Sequence, residues 1–192
     1  MKLLSILGSP NRNGNTARIL DSLNKRMMEL GHEGELIHLK DFTIHSCQGC
    51  LACQRLPGEA TCVQKDDAQA LFERVNAADA VIYASPLYGC NFSAPLKQYL
   101  DRHFCLARGF ATPEHTSFIQ GKRVAMLVTC GGPIENNASF VQPIFERVFA
   151  GFLKCTVIGK IAVPFCGITG MLDEQKADEA AEELFQCLTM TN

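Results

Sequence analysis

The sequence has no excess of charge of either sign. Its 18 lysines and arginines stand against 20 aspartates and glutamates, for a net charge of −2, and no basic run concentrates the positive ones. A phosphate backbone would find no electrostatic footprint here, so nucleic acid drops out of the expected partners. Long apolar runs are missing too. The first, Leu3 to Leu7, stops at Gly8-Ser9-Pro10, shorter than the ~7–15 residues of a signal-peptide core and far short of the ~20 that span a membrane. A cytoplasmic protein that does not enter the membrane is expected. Internal repeats and low-complexity linkers are absent, and 47% apolar against 20% charged residues gives no compositional reason for disorder. The 192 residues suit one domain, 1–192, with a continuous core.

Cysteine, by contrast, is plentiful, with ten in the chain. A chain of this length does not need disulfides to fold and no export signal is expected, so these are expected to be thiols or metal ligands. Cys47, Cys50, Cys53 and Cys62 crowd into one segment, about 44–63. Cys90, Cys105, Cys130, Cys155, Cys166 and Cys187 are scattered, and most can be small buried apolar residues.

Short apolar runs without alternation at Leu3–Leu7, Ala80–Ala84, Val124–Thr129 and Val157–Val163, with a mixed run at Glu35–Leu39, read as strands of a parallel sheet buried on both faces. Helical stripes lie between them: Leu20, Leu23, Met27 and Leu30, closed by Gly31; then Ala68, Leu71, Phe72 and Val75 after Asp66, with Gln69 placed for a capping box. A third helix starts at Ser93 with Pro95 in its first turn and carries Leu96, Leu100 and Phe104. A fourth follows Ser139, and a fifth runs through Ala177, Ala181, Leu184 and Leu188. Strands and helices that alternate five times argue for an α/β three-layer sandwich. They suit the flavodoxin-like strand order 2-1-3-4-5, with helices on both faces and a ligand at the carboxyl ends of the strands.

The loop Gly8–Thr16 leaves the first strand and enters the first helix, where backbone N–H groups and the positive end of the helix dipole converge on a place for an anion. It has neither G-x-G-x-x-G nor the Gly-Lys-Ser/Thr of a P-loop, so a dinucleotide or a nucleoside triphosphate is not favoured. It offers Ser9, Asn11, Asn13, Asn15 and Thr16 as neutral polar groups, with Arg12 as its cation. That chemistry fits a phosphate monoester; a plain polar turn with a helix cap is the alternative.

A second loop, "SPLYGCNFSAPLKQYLDR" from Ser85 to Arg102, follows another buried strand. Gly-Ser-Pro-x-x-x-Gly-Asn-Thr after strand 1, with Ser-Pro-x-Tyr and then Lys-x-x-x-Asp-Arg after strand 3, resembles the NADPH-dependent FMN reductase family of the flavodoxin-like fold. The likeness extends over nearly the whole chain. It implies that Ser9, Asn11, Asn15 and Thr16 bind the FMN phosphate and that Pro86, Leu87, Tyr88 and Gly89 lie along the isoalloxazine. The loop "TCGGPIENN" would add ring contacts at Cys130, Gly131 and Gly132. No side chain is expected to be catalytic, because the flavin carries the chemistry. Lys97, Asp101 and Arg102 read as a salt-bridge set at the helix surface or between helix and loop, and His38, His103 and His115 as surface or helix residues.

The cysteine segment reads C-x2-C-x2-C-x8-C. Three thiolates at that spacing can converge on one centre and a fourth can close it. A zinc site, a redox-active thiol pair near His45 or Arg55 and a structural loop remain open. The segment resembles the iron-sulfur flavoprotein branch, which implies a [4Fe-4S] cluster on Cys47, Cys50, Cys53 and Cys62 near the flavin. The last interval is longer here than in that branch. The connection Ala107–Gly121 is long; with Phe104 before it, its Phe110 and Phe118 suggest a cover for a partner's flavin, a dimer contact or a packed surface loop.

The expected activity is that of an FMN-dependent oxidoreductase that passes electrons from NAD(P)H to a small acceptor such as a quinone or a flavin. The alternative is an iron-sulfur flavoprotein that exchanges electrons with a ferredoxin-like redox protein, and a phosphate-binding module without redox chemistry is a third reading. By resemblance, a homodimer or homotetramer is expected.

Overall fold

The computed structural model describes residues 1–56, 58 and 60–190. Its central sheet is built from β1 (Lys2–Leu7), β2 (Glu33–His38), β3 (Ala80–Tyr88), β7 (Arg123–Thr129) and β8 (Thr156–Val163) in the order β2-β1-β3-β7-β8. All of these pairings are parallel. This is the 2-1-3-4-5 order expected from the alternation, with both faces of the sheet covered. The chain runs from β1 outward to β2 and then returns to β3 on the other side of β1. The switch point therefore falls at the carboxyl ends of β1 and β3.

Successive side chains of a strand point to opposite faces, and β1 shows the result. Leu3 and Leu7 join a core with Ile19, Leu20 and Leu23 of α1 (Asn15–Glu29) and Ala181 and Leu184 of α5 (Glu174–Thr189). Leu4 and Ile6 join the opposite core, with Leu71 and Phe72 of α2 (Ala68–Ala77), Leu96 and Tyr99 of α3 (Ala94–Arg102) and Phe145 of α4 (Ser139–Glu146). Each such Leu, Ile or Phe, fully buried, contributes about 1.5–3 kcal/mol. Among the described residues no helix is long and apolar enough to cross a membrane.

The structure departs from the sequence expectations in four places. The third strand runs on to Tyr88 and folds back through β4 (Asn91–Phe92). The link is a two-residue turn with Gly89 at φ 56° and Cys90 at φ 59°, the double left-handed geometry that matches strand twist. The 107–121 connection contains a small hairpin, β5 (Ala107–Arg108) with β6 (Thr116–Ser117), and Phe110 packs against Phe104 and Phe152 of its own chain. Asp66 does not form a capping box; its carboxylate accepts from the Ala68 N–H at 3.1 Å, while Gln69 turns to Glu73. Finally, α3 is rotated about its axis, so that Tyr99, Arg102 and His103 are buried and Leu100 and Phe104 are only partly so.

Candidate functional site

The first loop is closed by its own side chains. Ser9 Oγ accepts from the Asn11 N–H at 3.1 Å and donates to Asn11 O at 3.0 Å, and Asn11 Oδ1 accepts from the Asn13 N–H at 3.0 Å. Helix α1 begins after Gly14 with no side-chain cap, which leaves its first-turn N–H groups aimed out of the helix end. Ser9, Asn15 and Thr16 are buried there. Thr16 Oγ1 and Thr129 Oγ1 share one hydrogen bond of 2.7 Å, so one hydroxyl proton of the pair remains to be donated elsewhere. Asn15 Oδ1 is buried without a partner. Arg12 pairs with Asp41, so the loop's cation already has a carboxylate partner.

The loops after β1 and β3 are locked together. Ser93 Oγ donates to Gly8 O at 2.6 Å, and the Ser93 N–H donates to Ser85 Oγ at 2.9 Å. From this anchor the backbone rises through Pro86 and Leu87 to Tyr88, which is 55% exposed, and to Gly89, where an added Cβ would meet nothing within 4 Å. The third loop leaves β7 beside them. Cys130 is buried, with its sulfur turned to Gly132 O at 3.4 Å. Gly131 packs on the backbone of Gly167 so closely that a Cβ on Gly167 would lie 2.6 Å from Gly131 Cα. Burial raises the Cys130 pKa, more than Lys176 nearby lowers it, so the sulfur is held as a thiol.

A fourth wall escaped the sequence reading, namely the loop after β8, residues 164–172. Asn15 Nδ2 donates to Cys166 O at 2.6 Å and Ile168 O at 2.8 Å. Asn11 Nδ2 donates to Thr169 Oγ1 at 3.2 Å, and the Cys166 N–H donates to Cys130 O at 2.9 Å. Phe165, Ile168 and Met171 are left exposed. The glycines Gly167 and Gly170 after an apolar strand were the available signal for this loop. The nine carried-over positions apart from Tyr88 and Gly89 thus form two connected groups: Ser9, Asn11, Asn15 and Thr16 at the α1 end, and the backbones of 86–87 and 130–132 beside it. This set fits an FMN: uncapped helix N–H groups and a free hydroxyl proton suit a phosphate, an orphaned carboxamide oxygen suits a hydroxyl, and the glycine backbone at Gly131 and Gly132 suits a flat ring.

The cysteine segment lies along the end of α3. Cys47, Cys50, Cys53 and Cys62 line one cavity of about 350 Å³, together with Cys105, Phe104, Asp101 and Arg102. Among the described residues no three His, Cys, Asp or Glu side chains are placed to hold a metal ion; positions 57 and 59 of the segment lie outside the described residues. Cys53 is buried, Cys62 partly so, and Cys47 and Cys50 are exposed. Burial, then the neighbouring Cys62 and Cys53, push Cys105 up to about 12, so it stays a thiol. Behind the cavity Arg102 and Asp66 form a bidentate ion pair, Nη1 to Oδ2 at 2.5 Å and Nη2 to Oδ1 at 3.2 Å. Both side chains are essentially inaccessible, at 1% and 0%. Lys97 and Asp101 make the expected surface pair at 2.6 Å, whereas Arg102 turns inward. His103 is buried as well; its Nδ1 faces Tyr99 O at 2.9 Å and its Nε2 faces Tyr83 Oη at 3.0 Å.

The model of one family, described as NADPH-dependent FMN reductase, matches residues 1–169. An iron-sulfur flavoprotein of Archaeoglobus fulgidus is 44% identical over 102 residues, which is 53% of this chain and 48% of that protein. The chain thus spans about half the length of that curated relative. An FMN-dependent NADH:quinone oxidoreductase of Leptothrix cholodnii is 32% identical over 144 residues, 72% of this chain and 66% of that one. Among solved structures, an FMN-dependent NADH-azoreductase of Bacillus anthracis in complex with FMN superposes with a TM-score of 0.66 at 17% identity, covering 100% of both chains. At that identity the likeness is one of fold.

Proposed function

The chain belongs to the NADPH-dependent FMN reductase family, and from that premise we propose that it is an FMN-dependent oxidoreductase that takes electrons from NAD(P)H and delivers them to a small acceptor such as a quinone or a flavin. The observation that carries this reading is that the uncapped start of α1 lies at the β1/β3 switch point, where Ser93 Oγ ties the segment after β3 to Gly8 O. Ser9, Asn11, Asn15 and Thr16 would hold the phosphate. Pro86, Leu87, Tyr88 and Gly89 would lie along one side of the ring, with Cys130, Gly131 and Gly132 at its edge. Bound FMN supplies the hydride and electron chemistry. The chain's own residues bind it, orient it and keep one side of the ring from water, and none has to act as acid, base or nucleophile. The quinone oxidoreductase of Leptothrix cholodnii supports the choice of acceptor class. The test is the visible spectrum of the purified full chain, followed by NADH and NADPH oxidation with and without a quinone. Flavin bands with quinone-dependent turnover are expected, and a colourless protein that takes up no added FMN overturns the reading.

A second reading is favoured by the single cavity that all four cysteines line and by the iron-sulfur flavoprotein name of a relative. In it, Cys47, Cys50, Cys53 and Cys62 hold a [4Fe-4S] cluster and the electron partner is a ferredoxin-like redox protein. Thiolate ligands and a buried cation beside them suit such a cluster. Iron and acid-labile sulfide, measured on protein purified without oxygen, decide it. Changing Cys53→Ser is expected to remove iron and leave flavin; loss of neither reduces the segment to a structural loop.

A further inference from the structure

The Arg102–Asp66 pair is expensive. Removing both charges from water costs several kcal/mol per ion, and a pair of apolar side chains would often stabilise the fold as well or better. Its arrangement is also lopsided. Asp66 is saturated: it takes both Arg102 Nη groups, the His45 N–H at 2.8 Å and the Ala68 N–H. Arg102 is not. Beyond Asp66 it donates to His45 O at 2.9 Å, and its buried Nε–H has no hydrogen-bond partner.

The pair is also oriented. Arg102 lines the cysteine cavity and Asp66 does not; the carboxylate that does, Asp101, is already bridged by Lys97. The positive end of the pair therefore faces the four cysteines. A guanidinium stays charged inside a protein, and the two hydrogen bonds to Asp66 hold this one in place. A cluster carried by four thiolates is a net anion, and its stability and potential respond to nearby charge and to N–H groups aimed at its sulfurs.

We propose that Arg102, fixed by Asp66, is the positioning residue of the cysteine site: its guanidinium, with a buried Nε–H left unpartnered, supplies a donor and the positive potential under which an iron-sulfur cluster assembles and accepts one electron. This rests on the iron-sulfur reading above. The closing experiment compares the full chain with Arg102→Gln and Arg102→Lys, each reconstituted anaerobically with iron and sulfide. It measures iron, sulfide and FMN per chain and the cluster midpoint potential by redox titration followed by electron paramagnetic resonance.

For Arg102→Gln, loss of at least half of the iron is expected, or a midpoint lowered by roughly 59 mV, a tenfold change in a one-electron equilibrium, with FMN content unchanged. If the Gln variant does not fold, Arg102→Lys carries the test, because it keeps a cation beside Asp66 and loses the Nε–H. Its midpoint is expected below that of the unaltered chain, with iron retained. A variant that is less stable but has the unaltered chain's iron content and potential makes Arg102 merely structural and overturns the inference, while the cluster reading stands. An unaltered chain that binds FMN but no iron overturns the cluster reading and the inference with it.

Discussion

Gly8 has no side chain because there is no room for one. A Cβ there would sit 2.5 Å from Leu96 Cβ and 2.8 Å from Ser93 Oγ, where α3 begins. Gly8→Ala is therefore expected to cost about 1–3 kcal/mol in denaturant unfolding and to weaken FMN binding, since it pushes the first two loops apart. Unchanged stability would mean that α3 yields. Ser93→Ala removes the donor to Gly8 O and leaves that carbonyl buried and unpaired, at about 1–3 kcal/mol. In the sequence, Gly8 shows only as a glycine after a strand, because its reason lies on a distant helix. The polar residues of the first loop were legible as a cluster because their spacing is local. Asn15 was legible as a polar residue in the right place, but not as the tether of the last loop, since its partners are backbone atoms.

At the level of elements, apolar runs and stripes were enough to place the five main strands and the five helices, since both cores need those residues on fixed faces. The buried face of α3 was not legible. Leu96, Leu100 and Phe104 make the more apolar stripe, but the helix turns Arg102 and His103 inward because Asp66 and Tyr83 are there to satisfy them. The two-residue strands were hidden as well, because β4 depends on the left-handed pair Gly89 and Cys90 rather than on any pattern of its own. The loop after β8 yields a prediction at this scale. Asn15→Leu cuts the bonds to Cys166 O and Ile168 O, so faster hydrogen exchange at 165–172 is expected, together with loss of flavin retention. Exchange as slow as in the unaltered chain would show that Asn11 and the Cys166 N–H suffice to hold the loop.

Over the whole molecule, the buried His103 sets an acid limit. Burial lowers its pKa from 6.5 to about 4, against the weaker opposing influence of its Tyr99 hydrogen bond and of Asp101. Between those values the unfolded chain binds a proton that the folded one refuses, so stability falls as the pH drops from 6.5 to 4, by about 3 kcal/mol at most. Asp66 acts in a separate window. Burial raises its pKa, but the Arg102, His45 and Ala68 hydrogen bonds bring it below 3.8, and its contribution is lost only at lower pH. His103→Gln is expected to flatten the upper slope in urea unfolding across that range, whereas identical slopes would mean that the imidazole finds water when charged.

The tether from Asn15 to Cys166 and Ile168 also has a consequence in time. One half of the cradle at α1 is translated near the start of the chain and the other only after β8. During synthesis the helix end must therefore wait, exposed, for its last wall, and contacts of such sequence separation form late. The protein is expected to take up its cofactor as a finished chain rather than on the ribosome.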